Sequence, residues 1–165
     1  MTQNLPTTHR KNSSNIGVAA QPHISFPENE IKTAMQKHQQ GDLAQAMAEY
    51  ERLLQREPDH ADALHLSGVI LHQQGDHRAA IKRIERALQL KPNALLFLKN
   101  LASACRSAGD LDKAKRLCEE VLAIEPNDPV VLNMLGRIHE QQKNYAAAVH
   151  CYRTALNSNP TPQDK

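Results

Sequence analysis

The chain has no tryptophan, and only two phenylalanines and three tyrosines among its 165 residues. Its core must therefore be built from Leu, Ala, Ile and Val within a 40% hydrophobic content. That inventory suits helices packed closely together and suits a β-sandwich poorly, because strands favour aromatic side chains. Long hydrophobic runs are missing as well. None approaches the roughly 20 residues of a membrane span, and the N-terminus lacks the apolar core of a secretory signal. Cysteine is scarce: three, an odd number without metal-ligand spacing, which fits a reducing compartment better than a disulfide framework. The expected location is the cytoplasm, with no membrane contact.

An excess of charge is also lacking. Twenty Lys and Arg against 18 Asp and Glu leave a net charge of +2. No acid precedes Glu28 whereas Arg10 and Lys11 do, so the first residues supply the excess and the remainder is neutral. A neutral body is a poor match for the basic footprint that nucleic-acid binding needs.

Signatures of chemistry are absent in the same way. The sequence contains no Gly-rich phosphate loop, no His-Glu-x-x-His, no Cys-x-x-Cys and no nucleophile elbow. The expectation is a protein that is not an enzyme and holds neither cofactor nor metal. Cys105 and Cys118 fall at recurring core positions and read as buried thiols, with Cys151 beside such a position. Among nine histidines, His65 and His72 stand seven apart and can share a helix face, and His38 lies 34 residues before His72. Two imidazoles without a third ligand make a weak metal site, so these histidines are expected on the surface or in a groove.

What is present is a period. Pro58, Pro92, Pro126 and Pro160 each follow the last by 34 residues. Proline inside a helix costs roughly 3 kcal/mol, so the four mark breaks between helices. Twelve residues before each stands Ala46, Ala80, Ala114 or Ala148; eight before, Tyr50, Ile84, Cys118 or Tyr152; five before, Leu53, Ala87 or Ala155, with Leu122 one place out of register. Asp42, Asp76, Asp110 and Asn144 recur as N-cap residues, preceded by Gly41, Gly75, Gly109 and, in the fourth copy, Lys143. A Gly-Asp pair between two apolar-periodic runs reads as helix, tight turn, helix. First helices are predicted over about 28–40, 61–74, 95–108 and 129–142, and second helices over 43–56, 77–90, 111–124 and 145–158. In the last-but-one second helix, Leu111, Ala114, Leu117, Cys118, Val121 and Leu122 form an apolar stripe that only Lys115 interrupts. One hairpin cannot bury such a stripe alone; four stacked copies can.

This pattern resembles the tetratricopeptide repeat. The family's small residue, where the first helix meets its neighbours, is matched by Ala34, Gly68, Ala102 and Gly136. Leu101 and Leu135 match the leucine before it, while Thr33 and Ser67 do not. The early large residue is Leu64, Leu98 and Leu132, but Glu30 in the first copy, which is degenerate as terminal repeats often are. The resemblance implies an all-α fold, a right-handed α-solenoid of four antiparallel hairpins over 27–162, with repeats of about 27–60, 61–94, 95–128 and 129–162. A polar, disordered tail is expected over 1–26 and a short end over 163–165. Thr161-Pro162 reads as an N-cap and first helical residue, with no capping helix after it.

In that family the first helices line a concave groove that holds an extended peptide or a helix. Carried over by position, the groove has Asp62, His65, Leu66, Val69, His72 and Gln73 in the second repeat. The third contributes Leu96, Lys99, Asn100, Ser103, Arg106 and Ser107, and the fourth Val130, Asn133, Met134, Arg137, Glu140 and Gln141. Lys99, Arg106 and Arg137 are expected to make its middle mildly basic, suited to a partner with acidic groups, while Asn100 and Asn133 suit a peptide backbone. The family's carboxylate clamp is not expected, because its places hold Ile31 and Met35, or His65 and Val69, with only Asn100 fitting. Nor is the asparagine ladder of its sugar-transferring relatives, where Lys32, Leu66 and Met134 stand.

The leading expectation is a protein-binding scaffold. The run Asp62-Ala63-Leu64-His65-Leu66, then Gly68-Val69-Ile70, also looks similar to repeats preceding bacterial glycosyltransferase and sulfotransferase domains. The alternative is thus a substrate-recruiting arm of a larger enzyme. Self-association through an uncapped last hairpin is a third option.

Overall fold

The computed structural model describes residues 27–158, so the tail expected over 1–26, and Pro160, Thr161-Pro162 and 163–165, lie outside the described residues. Eight helices follow one another: α1 (Pro27–Gln39), α2 (Leu43–Arg56), α3 (Ala61–Gln73), α4 (His77–Leu90), α5 (Leu95–Ser107), α6 (Leu111–Ile124), α7 (Pro129–Gln141) and α8 (Tyr145–Ser158). Each lies within one residue of its expected span, which is no larger than the usual ambiguity of a helix end.

The turns inside each hairpin explain why. Asp42, Asp76 and Asp110 accept hydrogen bonds from the amides of Gln45, Ala79 and Lys113, and Asn144 accepts from Ala147, capping α2, α4, α6 and α8. The preceding residue must take positive φ to reverse the chain. Gly41, Gly75 and Gly109 do so at 83°, 88° and 86°, and Lys143 is forced to 60°. In all four turns the cap residue's amide reaches back to a carbonyl five residues earlier, as in Asp76 to Leu71 and Asn144 to His139, closing the preceding helix.

Helices pack as sequential antiparallel pairs, and each pair leans on the next through α2 and α3, α4 and α5, and α6 and α7. The small residues make this approach possible. A Cβ on Gly68 would stand 2.8 Å from Ile84 Cγ1, and one on Gly136 2.5 Å from Tyr152 Cε1. Ala46, Tyr50 and Leu53 of α2, Ala80, Ile84 and Ala87 of α4, and Ala114, Cys118 and Val121 of α6 are all essentially inaccessible to solvent. One core runs from α3 to α8 and a second joins α1, α2 and α3. Cys105 and Cys118 are buried as expected, and burial pushes their thiols up to about 11 and about 12. Cys151 is a correction: it lies in the core rather than beside it, while its neighbour Tyr152 is half-buried.

Candidate binding groove

Odd-numbered helices touch across repeats, α3 with α5 and α5 with α7. The first helices α3, α5 and α7 thus share one side of the stack, the inner side that the family resemblance assigns to binding.

Side chains bridge these inner helices. His65 of α3 lies flat on Phe97 of α5, with ring centroids 4.0 Å apart, and its Nε2 receives the Asn100 amide at 2.8 Å. One turn pair further along α3, His72 Nε2 meets Ser103 Oγ of α5 at 3.2 Å, and His72 Nδ1 meets His77 Nδ1 of α4 at 3.0 Å. The two histidines do share a face, as their spacing required, but α5 occupies that face. His65 is only 2% exposed, so it forms the floor of the groove and is not an open groove or surface residue. Burial outweighs the nearby Asp62 carboxylate and holds its pKa down at about 4, leaving a neutral ring. His72 is lowered too, by burial first, then by His77 and Arg106.

The charges differ from expectation in one respect. Lys99 is paired with Glu125 at 2.7 Å and with Asp128, the residue that caps α7. Those bonds to Asp128 and Glu125 raise its pKa and neutralise it locally, so it does not contribute free positive charge to the groove. Nothing in the local sequence announced this, because the partners lie 26 and 29 residues away, in the turn between α6 and α7. Arg106 and Arg137 remain, lining a cavity of about 180 Å³ with Ser103, Val130, Asn133 and Met134. Val69 is half-buried on α3. Glu140, exposed on α7, accepts a hydrogen bond from the Tyr152 hydroxyl at 3.1 Å.

Sequence reasoning missed a second cavity, of about 230 Å³, between α1, α2 and α3, lined by Met35, His38, Gln39, Tyr50 and Leu66. Tyr50 is fully buried and its hydroxyl has no hydrogen-bond partner among the described residues. A wider depression of about 650 Å³ lies away from the groove, against the α2–α3 turn and the end of α4. Its Lys91 and Asp62 are already paired at 2.7 Å. Among the described residues no group of three or more His, Cys, Asp or Glu side chains converges as a metal site, and no helix is long and apolar enough to cross a membrane.

Paired helices with positive-φ hairpin turns, capped at 34-residue intervals and stacked through small residues, define a tetratricopeptide-type repeat protein. The chain belongs to the family of the tetratricopeptide repeat protein 21 C-terminal ARM domain, whose model it matches over residues 11–163. Solved structures share the fold. A crystal structure of MamA superposes with a TM-score of 0.73 at 21% identity, covering 81% of this chain and 78% of that one. MamA from Desulfovibrio magneticus RS-1, residues 41 to the end, gives 0.73 at 17%, covering 81% and 76%. A tetratricopeptide repeat protein from Parabacteroides merdae ATCC 43184 gives 0.69 at 24%, covering 81% and 53%. No curated protein matches the chain by sequence.

Proposed function

We propose that the chain is a non-catalytic, cytoplasmic protein-binding module that holds a partner's peptide or helix against α3, α5 and α7. The observation carrying this reading is the braced floor of the inner face. His65 with Asn100, and His72 with Ser103, fix α3 against α5, while Arg106, Asn133 and Arg137 line a cavity that includes Ser103. A surface fixed before binding loses less freedom when a ligand arrives. An interface of about 800 Å² per partner and micromolar affinity are the scale expected. A recruiting arm of a larger enzyme would use the same groove.

The test is capture of partners from a lysate of the native source, identified by mass spectrometry. Val69→Lys with Leu96→Lys blocks the inner face; Lys82→Ala with Arg116→Ala alters the outer helices. Partners lost only with the first pair support the reading. Partners retained by it contradict the groove.

One observation favours a second reading. Tyr145, Val149 and Leu156 on α8 are 62%, 47% and 73% exposed, spaced along one helix face with Tyr152 between them. Their equivalents one repeat earlier, Leu111, Lys115 and Leu122, are half-buried, with the two leucines packed on the core. The outer face of α8 is thus a candidate surface for self-association. A sedimentation series in which mass stays constant with concentration would contradict it.

A further inference from the structure

The second hairpin differs from the third in what holds it to its neighbour. Four of the nine histidines fall between residues 60 and 77. Two of them, His65 and His72, link α3 to α5 through Asn100 and Ser103. One repeat later the same two places hold Lys99 and Arg106. There an ion pair joins Lys99 of α5 to Asp128, the N-cap of α7. Burial pushes the Asp128 carboxyl up, but hydrogen bonds from Lys99 and from the Val131 and Val130 amides outweigh it and hold it below its usual value. The α5–α7 seam therefore keeps its charges through the range in which imidazoles titrate, whereas the α3–α5 seam depends on its rings staying neutral.

Both rings are poorly placed to take a proton. His65 Nε2 accepts the Asn100 amide at 2.8 Å, and a ring only 2% exposed has no water to solvate a charge. The Asp62 carboxylate favours that charge from the same helix, but Lys91 already holds it at 2.7 Å. His72 Nδ1 faces His77 Nδ1 of α4 at 3.0 Å, a contact that needs one of the two nitrogens bare. With both rings protonated, two N–H groups would oppose each other. Arg106 of α5 adds a further like charge at His72. From α1 and α2, His38 and Tyr50 share a cavity with Leu66 of α3, and no carboxylate lines it. We propose that the α3–α5 seam is an acid-opened joint: the neutral rings of His65 and His72 hold it shut, and their protonation frees α3 from α5 while α5 and α7 stay together. The joint is a property of the fold and goes beyond the binding reading, since it does not depend on which surface a partner uses.

Burial holds the His65 pKa at about 4 in the closed joint, against 6.5 for a free ring, so the open form takes up the proton first. The closed joint keeps its full advantage above about 6.5 and loses it as pH falls toward 4, by about thirtyfold at pH 5. His72, lowered by burial and then by His77 and Arg106, adds a second proton of the same sign.

Hydrogen exchange of the full chain between pH 7.5 and 5, corrected for intrinsic exchange, tests the joint helix by helix. A 13-residue helix that loses its packing is marginal in water, so opening shows as lost protection in α3. The expected loss there is about thirtyfold or more, with a smaller loss in α6, α7 and α8, although α7 carries the buried His139. The slope of log protection against pH counts the protons taken up on opening. For α3 it is expected to exceed one in the unsubstituted chain and to fall to one or below in His72→Gln with His77→Leu. Leucine stands at the place of His77 one repeat later, and both histidines are half-buried, so this variant is expected to keep its melting temperature at pH 7.5. His65→Gln is expected to remove most of the thirtyfold loss. Should that buried substitution fail to fold, the slope of the double variant decides. Equal loss in all helices would assign the effect to global unfolding and overturn the joint. So would unchanged protection of α3, or the same slope in the unsubstituted chain and the double variant.

Discussion

The ring of His65 stacks on that of Phe97, centroids 4.0 Å apart and planes 18° apart, so an imidazole from one repeat serves as packing material for the next. Its position also binds the groove floor to pH. The neutral ring accepts from Asn100 and is buried; the protonated ring would carry an unsolvated charge and lose that acceptor.

Acid is therefore expected to destabilise the fold through this residue. The folded-state pKa is held down at about 4, against 6.5 for a free histidine. As pH falls through 6.5 the unfolded chain takes up the proton first. The stabilisation is complete above about 6.5 and is lost as pH falls toward 4, by about 2–3 kcal/mol. Urea unfolding at pH 7.5 and 4.5 measures it, and His65→Gln is expected to reduce the difference. His72 and His139, also lowered by burial, act with the same sign and account for a remainder.

Two glycines in equivalent positions are expected to respond differently to alanine. At Gly68 the new methyl meets Ile84 at 2.8 Å and the Ala80 carbonyl at 3.3 Å, and Ile84 is fully buried. Overpacking of this kind costs about 1–3 kcal/mol, more than the roughly 1 kcal/mol that alanine contributes in a helix. At Gly136 the three nearest obstacles are all atoms of the half-buried Tyr152 side chain and none is backbone, so the ring rather than a helix must give. Chemical denaturation should show a clear loss for Gly68→Ala and a change near zero for Gly136→Ala.

The period was legible because its markers act locally. Proline, glycine with positive φ and an Asp cap each impose geometry on adjacent residues, so the eight helices could be read from the chain. The groove was less legible because its character depends on partners distant in sequence. Lys99 looks like a free cation until Asp128 and Glu125 are folded against it, and His65 looks like a groove ligand until Phe97 covers it. Cys151 was misplaced for a related reason. The stripe on α8 was judged from the period alone, whereas packing on α7 turns Cys151 inward and leaves Tyr152 half-exposed.

The fourth hairpin turn carries a removable defect. Lys143 takes φ of 60° where the other three turns have glycine. A left-handed conformation costs a non-glycine residue about 1–2 kcal/mol, partly offset by glycine's greater freedom when unfolded. Lys143→Gly is expected to stabilise by about 0.5–1 kcal/mol, and Gly75→Ala to destabilise by a similar amount. Thermal melts of the two variants check both signs.

Tyr50 offers a test of the second cavity. Burial pushes its hydroxyl pKa up to about 12, and the oxygen lacks a partner among the described residues. An unpartnered buried hydroxyl is a cost, so Tyr50→Phe is expected to be neutral or to stabilise by about 1 kcal/mol. A loss of 1 kcal/mol or more in urea unfolding would show that the hydroxyl is satisfied.

The central claim is that partners bind on the inner face. Hydrogen exchange of the full chain, free and saturated with a captured partner, tests it most directly. The account predicts new protection on α3, α5 and α7, concentrated around Val69, Ser103, Arg106, Asn133 and Arg137, with α2, α4 and α6 unchanged. Protection confined to the outer helices, or to the exposed face of α8, would contradict it.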